Sequence, residues 1–435
     1  MAAAIRKKNL AITSVYVGGF KNLSDVRIEF SPITALIALN NYGKSNVINA
    51  IDFGMSFLKS VPGDKDQMMA NAGFMPMNTL LQGKNYRFEI KGMIPFNDKV
   101  CHVVYGYEFS WKNHINEDAE IVSEHLQIKQ ENSSRYTQLI NREKGKALYR
   151  RSESGRCSSK ILVKSDELII NKLDAFDEFY YSPIINRINK IDFYMETQLD
   201  VKNMYQPDPI IVKGLENMRI DAQNLPRVIY QLHQTYPDKF ELLKDAYTEL
   251  FPDVEDILIR RFNLNNESGT LPEDAPFSIA NSIYALYVKN HNMNHPLNFS
   301  QMSDGAKRVF MILTRIILAE LSNVSLIAIE EPENSVHPGL LKAYLQIIHQ
   351  LQGNCRIIIT SHSPYIISYL NPKWIYVGVG KKPGIAEFRS FRPNIEKTLL
   401  KDAKRFDMSM GDYLFSLISD ADGDWNEYLE CNADE

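Results

Sequence analysis

The chain has 435 residues, enough at roughly 150 per domain for two or three domains or one large α/β domain with an insertion. Hydrophobic residues make up 44%, charged residues 23% and aromatic residues 11%, which excludes collagen-like, disordered and coiled-coil-dominated chains. Lys and Arg number 49 against 53 Asp and Glu, a formal charge of -4, so any attraction to nucleic acid must come from a local patch.

The longest apolar runs, such as 33–39 and 326–329, fall far short of the roughly 20 residues that span a bilayer. The N-terminus lacks the apolar stretch of a secretory signal, so a cytoplasmic protein with no membrane segment is expected. Cys101, Cys157, Cys355 and Cys431 show no metal-ligand spacing and are expected to stay reduced.

In chain order, strands are expected at 10–16, 26–30 and 33–39, then a loop and a helix from Lys44. A Met-rich stretch with scattered Gly, Asn and Pro leads into alternating runs at 86–94, 102–111, 120–130 and 161–170, read as an antiparallel β subdomain. Helical spacing of Leu225, Val228, Ile229, Leu232, Leu242, Leu243 and Leu250 marks a helical lobe. Beyond Pro296 come a helix at 305–321, a strand at 326–329, a helix at 338–351, a strand at 356–360 and a helix after Pro364. The pattern implies an α/β head split between 1–60 and 295–395. The insertion, 61–294, is a β subdomain followed by the helical lobe. A C-terminal helix and acidic tail fill 396–435, with seven acidic and no basic side chains from Ser419 onward.

Four motifs carry chemistry. Ala38-Leu-Asn40-Asn41-Tyr-Gly43-Lys44-Ser45-Asn46 follows an apolar strand and opens a helix, the context a phosphate-binding loop requires. Backbone N–H groups and the helix N-terminus would hold the β- and γ-phosphates of ATP, Lys44 adds a positive charge, and Ser45 can ligate Mg²⁺. Ala38 stands where the first glycine of the pattern is usual, which requires a negative φ there. In the second motif, the apolar strand 326–329 ends in Glu330 and Glu331, whose side chains alternate in direction: Glu330 is assigned to Mg²⁺ and Glu331 to the attacking water. In the third, Thr360-Ser-His362-Ser-Pro364 ends the next strand, where His362 can hydrogen-bond the γ-phosphate. In the fourth, Ser303-Asp304-Gly305 opens a helix, either as an anion site or as an N-cap, two readings that are compatible.

With these motifs in this order, the chain resembles ATP-binding-cassette ATPases of the RecF, SMC and OLD type. The resemblance covers about residues 10–60 and 295–370. It implies an ABC-ATPase head of the P-loop NTPase fold carrying an inserted β-rich and helical lobe. It also implies a homo-oligomer of heads: Lys44 and Glu331 of one subunit would face Ser303, Asp304 and Gly305 of another across the γ-phosphate of ATP. The segment Glu333-Asn334-Ser335 to His337 matches the family's loop between active sites, and Gln198 is a candidate Mg²⁺-sensing glutamine or an ordinary surface residue.

The absence of a long coiled coil excludes full-length chromosome-tethering members, and the roughly 65 residues after the switch segment, which ends near residue 370, are too few for a TOPRIM nuclease domain. Asp420-Ala-Asp422-Gly-Asp424 is read as solvated tail rather than a metal site. A stand-alone head resembles the ATPase subunits of the Septu and PARIS anti-phage systems, whose effectors are separate HNH or TOPRIM proteins. The alternative is a RecF-like repair ATPase that binds DNA through the basic run 142–160, which is otherwise a solvated loop. A third reading is a nucleotide-binding module that has lost hydrolysis.

Overall fold

Three runs with apolar centres, Ile33–Ile37, Leu326–Glu330 and Arg356–Ser361, are largely buried and pair as adjacent parallel strands. In this computed structural model the described residues are 10–113, 118–131, 133–143, 145–176, 179–196, 204–206, 208–212, 220, 224–264, 277–322, 324–379, 382–419, 425 and 427–430. Gln198, Cys431 and the run Asp420, Asp422, Asp424 lie outside them. No described helix is long and apolar enough to cross a membrane.

The fold is mixed α/β. A six-stranded sheet has the order Phe193–Glu196, Leu326–Glu330, Arg356–Ser361, Ile33–Ile37, Ile375–Gly378 and Phe388–Ser390. An eight-stranded antiparallel sheet begins with Leu23–Glu29 and Ala11–Phe20 and continues without a break through Tyr86–Phe96, Lys99–Phe109 and Ile121–Gln130. It ends with Thr137–Glu143, Lys146–Arg150 and Cys157–Lys160.

The chain forms two compact units: 1–195 with 323–332 and 354–435, and 196–322 with 333–353. This division runs differently from the expected head and insertion. The N-terminal strand Ala11–Phe20 bonds directly to Tyr86–Phe96, so the β subdomain is continuous with the first unit. The helices Asp304–Ser322 and Pro338–Leu351, expected in the head, belong to the second.

Aromatic packing dominates the first unit. The helix Lys44–Lys59 presents Phe53 and Phe57 to Tyr86, Tyr107, Phe109 and Trp111, and Phe57 stacks on Phe109 at 4.8 Å. The hydroxyls of Tyr86 and Tyr107 donate to the helix carbonyls of Ala50 and Gly54, each at 2.8 Å, so these large rings are buried with their polar ends satisfied.

The run 161–170, expected as a strand, is instead loop followed by the helix Ile169–Asp174. The cause is tertiary. The fully buried carboxylate of Glu124 accepts from the N–H groups of Ile169 at 2.6 Å and Ile170 at 2.9 Å, capping a helix that local pattern did not announce. Burial pushes that carboxyl up to about 7 even so.

The second unit contains the expected helices, Leu225–Thr235 and Pro237–Leu250, and also a three-stranded sheet of Val254–Asn263, Ser282–Asn290 and Leu297–Asn298. Tyr205, Tyr247, Phe299 and Phe310 form its aromatic centre, with Phe299 4.7 Å from both Tyr205 and Phe310.

Candidate nucleotide site

Within the first unit, the strand pairing brings three of the four motifs to one edge of the sheet. Glu330 lies opposite Thr360, and Thr360 opposite Leu36, with all three strands parallel. Neighbouring strands are about 4.8 Å apart, so Glu330 sits about 10 Å across the sheet from the strand that enters the phosphate loop, with the switch histidine's strand between them. Ligands of parallel α/β sheets bind beyond such carboxyl ends of strands.

The loop is held open by its own backbone. Gly43 has φ 129°, and a Cβ there would come within 2.9 Å of Ala386, so this position requires glycine. Ala38 does not have a positive φ, which is why alanine fits where the pattern usually has glycine. Lys44 is buried, and its ammonium donates to the carbonyls of Ala38 at 2.8 Å and Leu39 at 3.1 Å, spanning the loop. The helix Lys44–Lys59 starts with no side-chain cap and no acidic residue in its first turn, leaving its positive end suited to an anion. Asn40, Asn41 and Ser45 are exposed around it.

Asn46 supports the loop. Its amide donates to Asn22 at 2.8 Å, and Asn22 in turn donates to the Tyr42 carbonyl at 2.9 Å. The Tyr42 hydroxyl donates to the Glu387 carbonyl and accepts from the Glu387 N–H at 3.1 Å. Asn22 and Glu387 were missed in the sequence because they act on the loop from 20 and 345 residues away.

Glu331 has φ 47°, a left-handed conformation that a glutamate adopts only at a cost. Its N–H donates to the Thr360 carbonyl at 2.9 Å, which fixes the turn. Its carboxylate lies 3.1 Å from the Nδ1 of His362, and both side chains are partly exposed, at 25% and 43%. An acid and an imidazole from neighbouring strand ends thus meet where a reacting group could reach both.

The residues fit a hard cation held together with phosphates. Ser45 offers an exposed hydroxyl on the first helical turn and Glu330 a half-buried carboxylate, both oxygen donors. No group of three or more His, Cys, Asp or Glu that could hold a metal exists among the described residues, so those residues by themselves supply only part of a coordination shell. Mg²⁺ in such a site neutralises charge on the phosphate oxygens.

The signature residues fall in the second unit. Ser303 Oγ accepts from the Ala306 N–H at 3.3 Å, an N-cap, while Asp304 pairs with Lys307 at 2.9 Å. A Cβ at Gly305 would lie 1.9 Å from the Ser335 carbonyl oxygen, so this glycine permits a backbone contact inside its own subunit. His337 caps the helix Pro338–Leu351, its Nδ1 accepting from Gly339 at 3.1 Å.

The basic run loses one member to the core. Arg142 is buried and donates to the carbonyls of Glu167 at 2.7 Å and Lys164 at 3.2 Å. Lys146, Arg151, Arg156 and Lys160 remain exposed along an edge of the antiparallel sheet. Lys144 lies outside the described residues.

Residues 227–368 match the family described as "AAA domain, putative AbiEii toxin, Type IV TA system", a span that includes Glu330, Glu331 and His362 but not the phosphate loop. The chain is 23% identical over 396 residues to Endonuclease GajA of Bacillus cereus, covering 80% of this chain and 54% of that protein. It therefore spans about half the length of this curated relative. Among solved structures it resembles an SMC head bound to the C-terminal winged-helix domain of ScpA, with a TM-score of 0.50 at 15% identity, covering 89% of this chain and 99% of that one. The chain thus shares its mixed α/β fold with an SMC head, and over part of its length it is similar to the AAA-domain family and to an endonuclease.

Proposed function

We propose that this protein binds ATP with Mg²⁺ and hydrolyses it to ADP and phosphate at composite sites formed between subunits. The observation that carries the reading is the meeting of Glu331 and His362 at 3.1 Å on the sheet edge that also bears the phosphate loop. In this reading the loop N–H groups and Lys44 bind the phosphates, and Ser45 and Glu330 share the cation. Glu331 orients and deprotonates water, and His362 holds Glu331 and contacts the γ-phosphate. Ser303, Asp304 and Gly305 serve the ATP of a second subunit. Their jobs inside their own subunit leave the helix N-terminus preformed for that role.

In the cell we assign it to anti-phage defence, as a platform whose nucleotide state controls a separate nuclease effector of HNH or TOPRIM type, in the manner of the Septu and PARIS ATPases. Similarity to an endonuclease over 54% of that protein's length supports a connection between this head and nuclease action. The test is ATP turnover with Mg²⁺ by the wild type, Lys44→Ala and Glu331→Gln, together with recovery of a nuclease on the tagged protein from its native host. Turnover lost in both variants supports the reading, and turnover retained in Glu331→Gln rejects it. The repair alternative has the exposed Lys146, Arg151, Arg156 and Lys160 in its favour. It predicts DNA binding that weakens steeply with salt.

A further inference from the structure

The second unit contains a buried ion pair that the nucleotide site does not use directly. Glu196 and Arg315 meet at 2.7 Å with side chains 2% and 7% exposed. Burial pushes the carboxyl up and the guanidinium down. A buried pair of this kind commonly stabilises no better than apolar residues of similar volume, so it calls for a positional explanation.

The helix Asp304–Ser322 supplies one. At 100° per residue, Gly305, Arg308 and Arg315 fall within about 80° of one another on a single face of a helix otherwise rich in Ile, Leu and Val. Along that stripe Gly305 meets the Ser335 carbonyl, Arg308 exerts its charge on Glu196 and Tyr344, and Arg315 binds Glu196. Both Glu333 and Ser335 belong to the segment that follows Glu331 after the single residue Pro332.

We propose that Glu196 and Arg315 are positioning residues: their pair sets the helix Asp304–Ser322, whose Gly305 seats the segment Glu333 to His337 and thereby holds Ser303, Asp304 and Gly305 in the arrangement that the proposed function assigns to a second subunit's ATP. The inference rests on the ATPase reading for its kinetic consequence only. Its structural half, that the pair orders the segment after Glu331, stands independently.

The experiment uses the full chain with Glu196→Gln and the apolar double variant Glu196→Leu/Arg315→Met, which removes the charges and keeps the volume. Melting temperature, ATP affinity, steady-state turnover and hydrogen exchange are measured, the last read at Val336, whose N–H bonds to the Glu333 carbonyl at 3.0 Å. The double variant is expected to fold and bind ATP as the wild type does, while kcat falls at least tenfold at unchanged KM and Val336 exchanges at least tenfold faster. Wild-type exchange at Val336 in a folded double variant overturns the inference. So does full turnover. A wild type without turnover rejects the ATPase reading instead, and the exchange result then decides the inference alone.

Discussion

Glu331 in the first unit and Gly305 in the second are built on opposite plans. In the first unit, Glu331 carries a side chain where the backbone favours glycine, at φ 47°. In the second, Gly305 omits a side chain where the Ser335 carbonyl would lie 1.9 Å from its Cβ. The first arrangement keeps a carboxylate despite local strain, and the second gives up a side chain for close packing. A residue held against its conformational preference points to chemistry, whereas a glycine wedged against backbone has a structural duty whatever else it does.

Substitutions at these positions sharpen the contrast. The largest effect is expected for Glu331→Gly, where turnover falls about 100-fold or more through loss of the proposed general base. Its stability holds or rises by up to about 1 kcal/mol as strain is relieved, visible in paired ATPase and urea-unfolding assays. A melt that drops by several degrees would show that Glu331 also holds the fold.

Gly305→Val is expected to destabilise by roughly 1–3 kcal/mol, because the contact is with backbone that cannot rotate away. Denaturant titration of the purified variant checks it, and a wild-type midpoint would remove the close-packing argument. Ser303→Ala should cost about 1 kcal/mol through the lost cap, whether or not nucleotide is present. Smallest is Asn22→Ala, which releases Asn46 and the Tyr42 carbonyl. Because the lost hydrogen bonds are part-buried, about 1 kcal/mol is expected, read as a roughly fivefold weaker ATP affinity from a less ordered loop.

The same contrast explains what the sequence disclosed. The strands that carry Glu330, Glu331 and His362, and the strand, turn and helix around 33–59, were legible because local signals mark each of them, and the parallel strands then bring those residues together by register alone. The pairing of Glu196 with Arg315 was not, since it joins residues 119 positions apart by number and both types are ordinarily read as surface. The helix at Ile169 was hidden for a related reason: its cap, Glu124, arrives from 45 residues away. The sheet Val254–Asn263 with Ser282–Asn290 lay in a region read as helical because the strong amphipathic helices before it set the expectation.

The central claim is that the phosphate loop and Glu331 of one subunit act with Ser303 and Gly305 of another. The most direct measurement is the solution mass of the Glu331→Gln variant, with and without ATP and Mg²⁺. The account predicts a mass that doubles, or rises to a higher even multiple, only when ATP is present. A mass that stays at that of one chain with ATP demonstrably bound would contradict it.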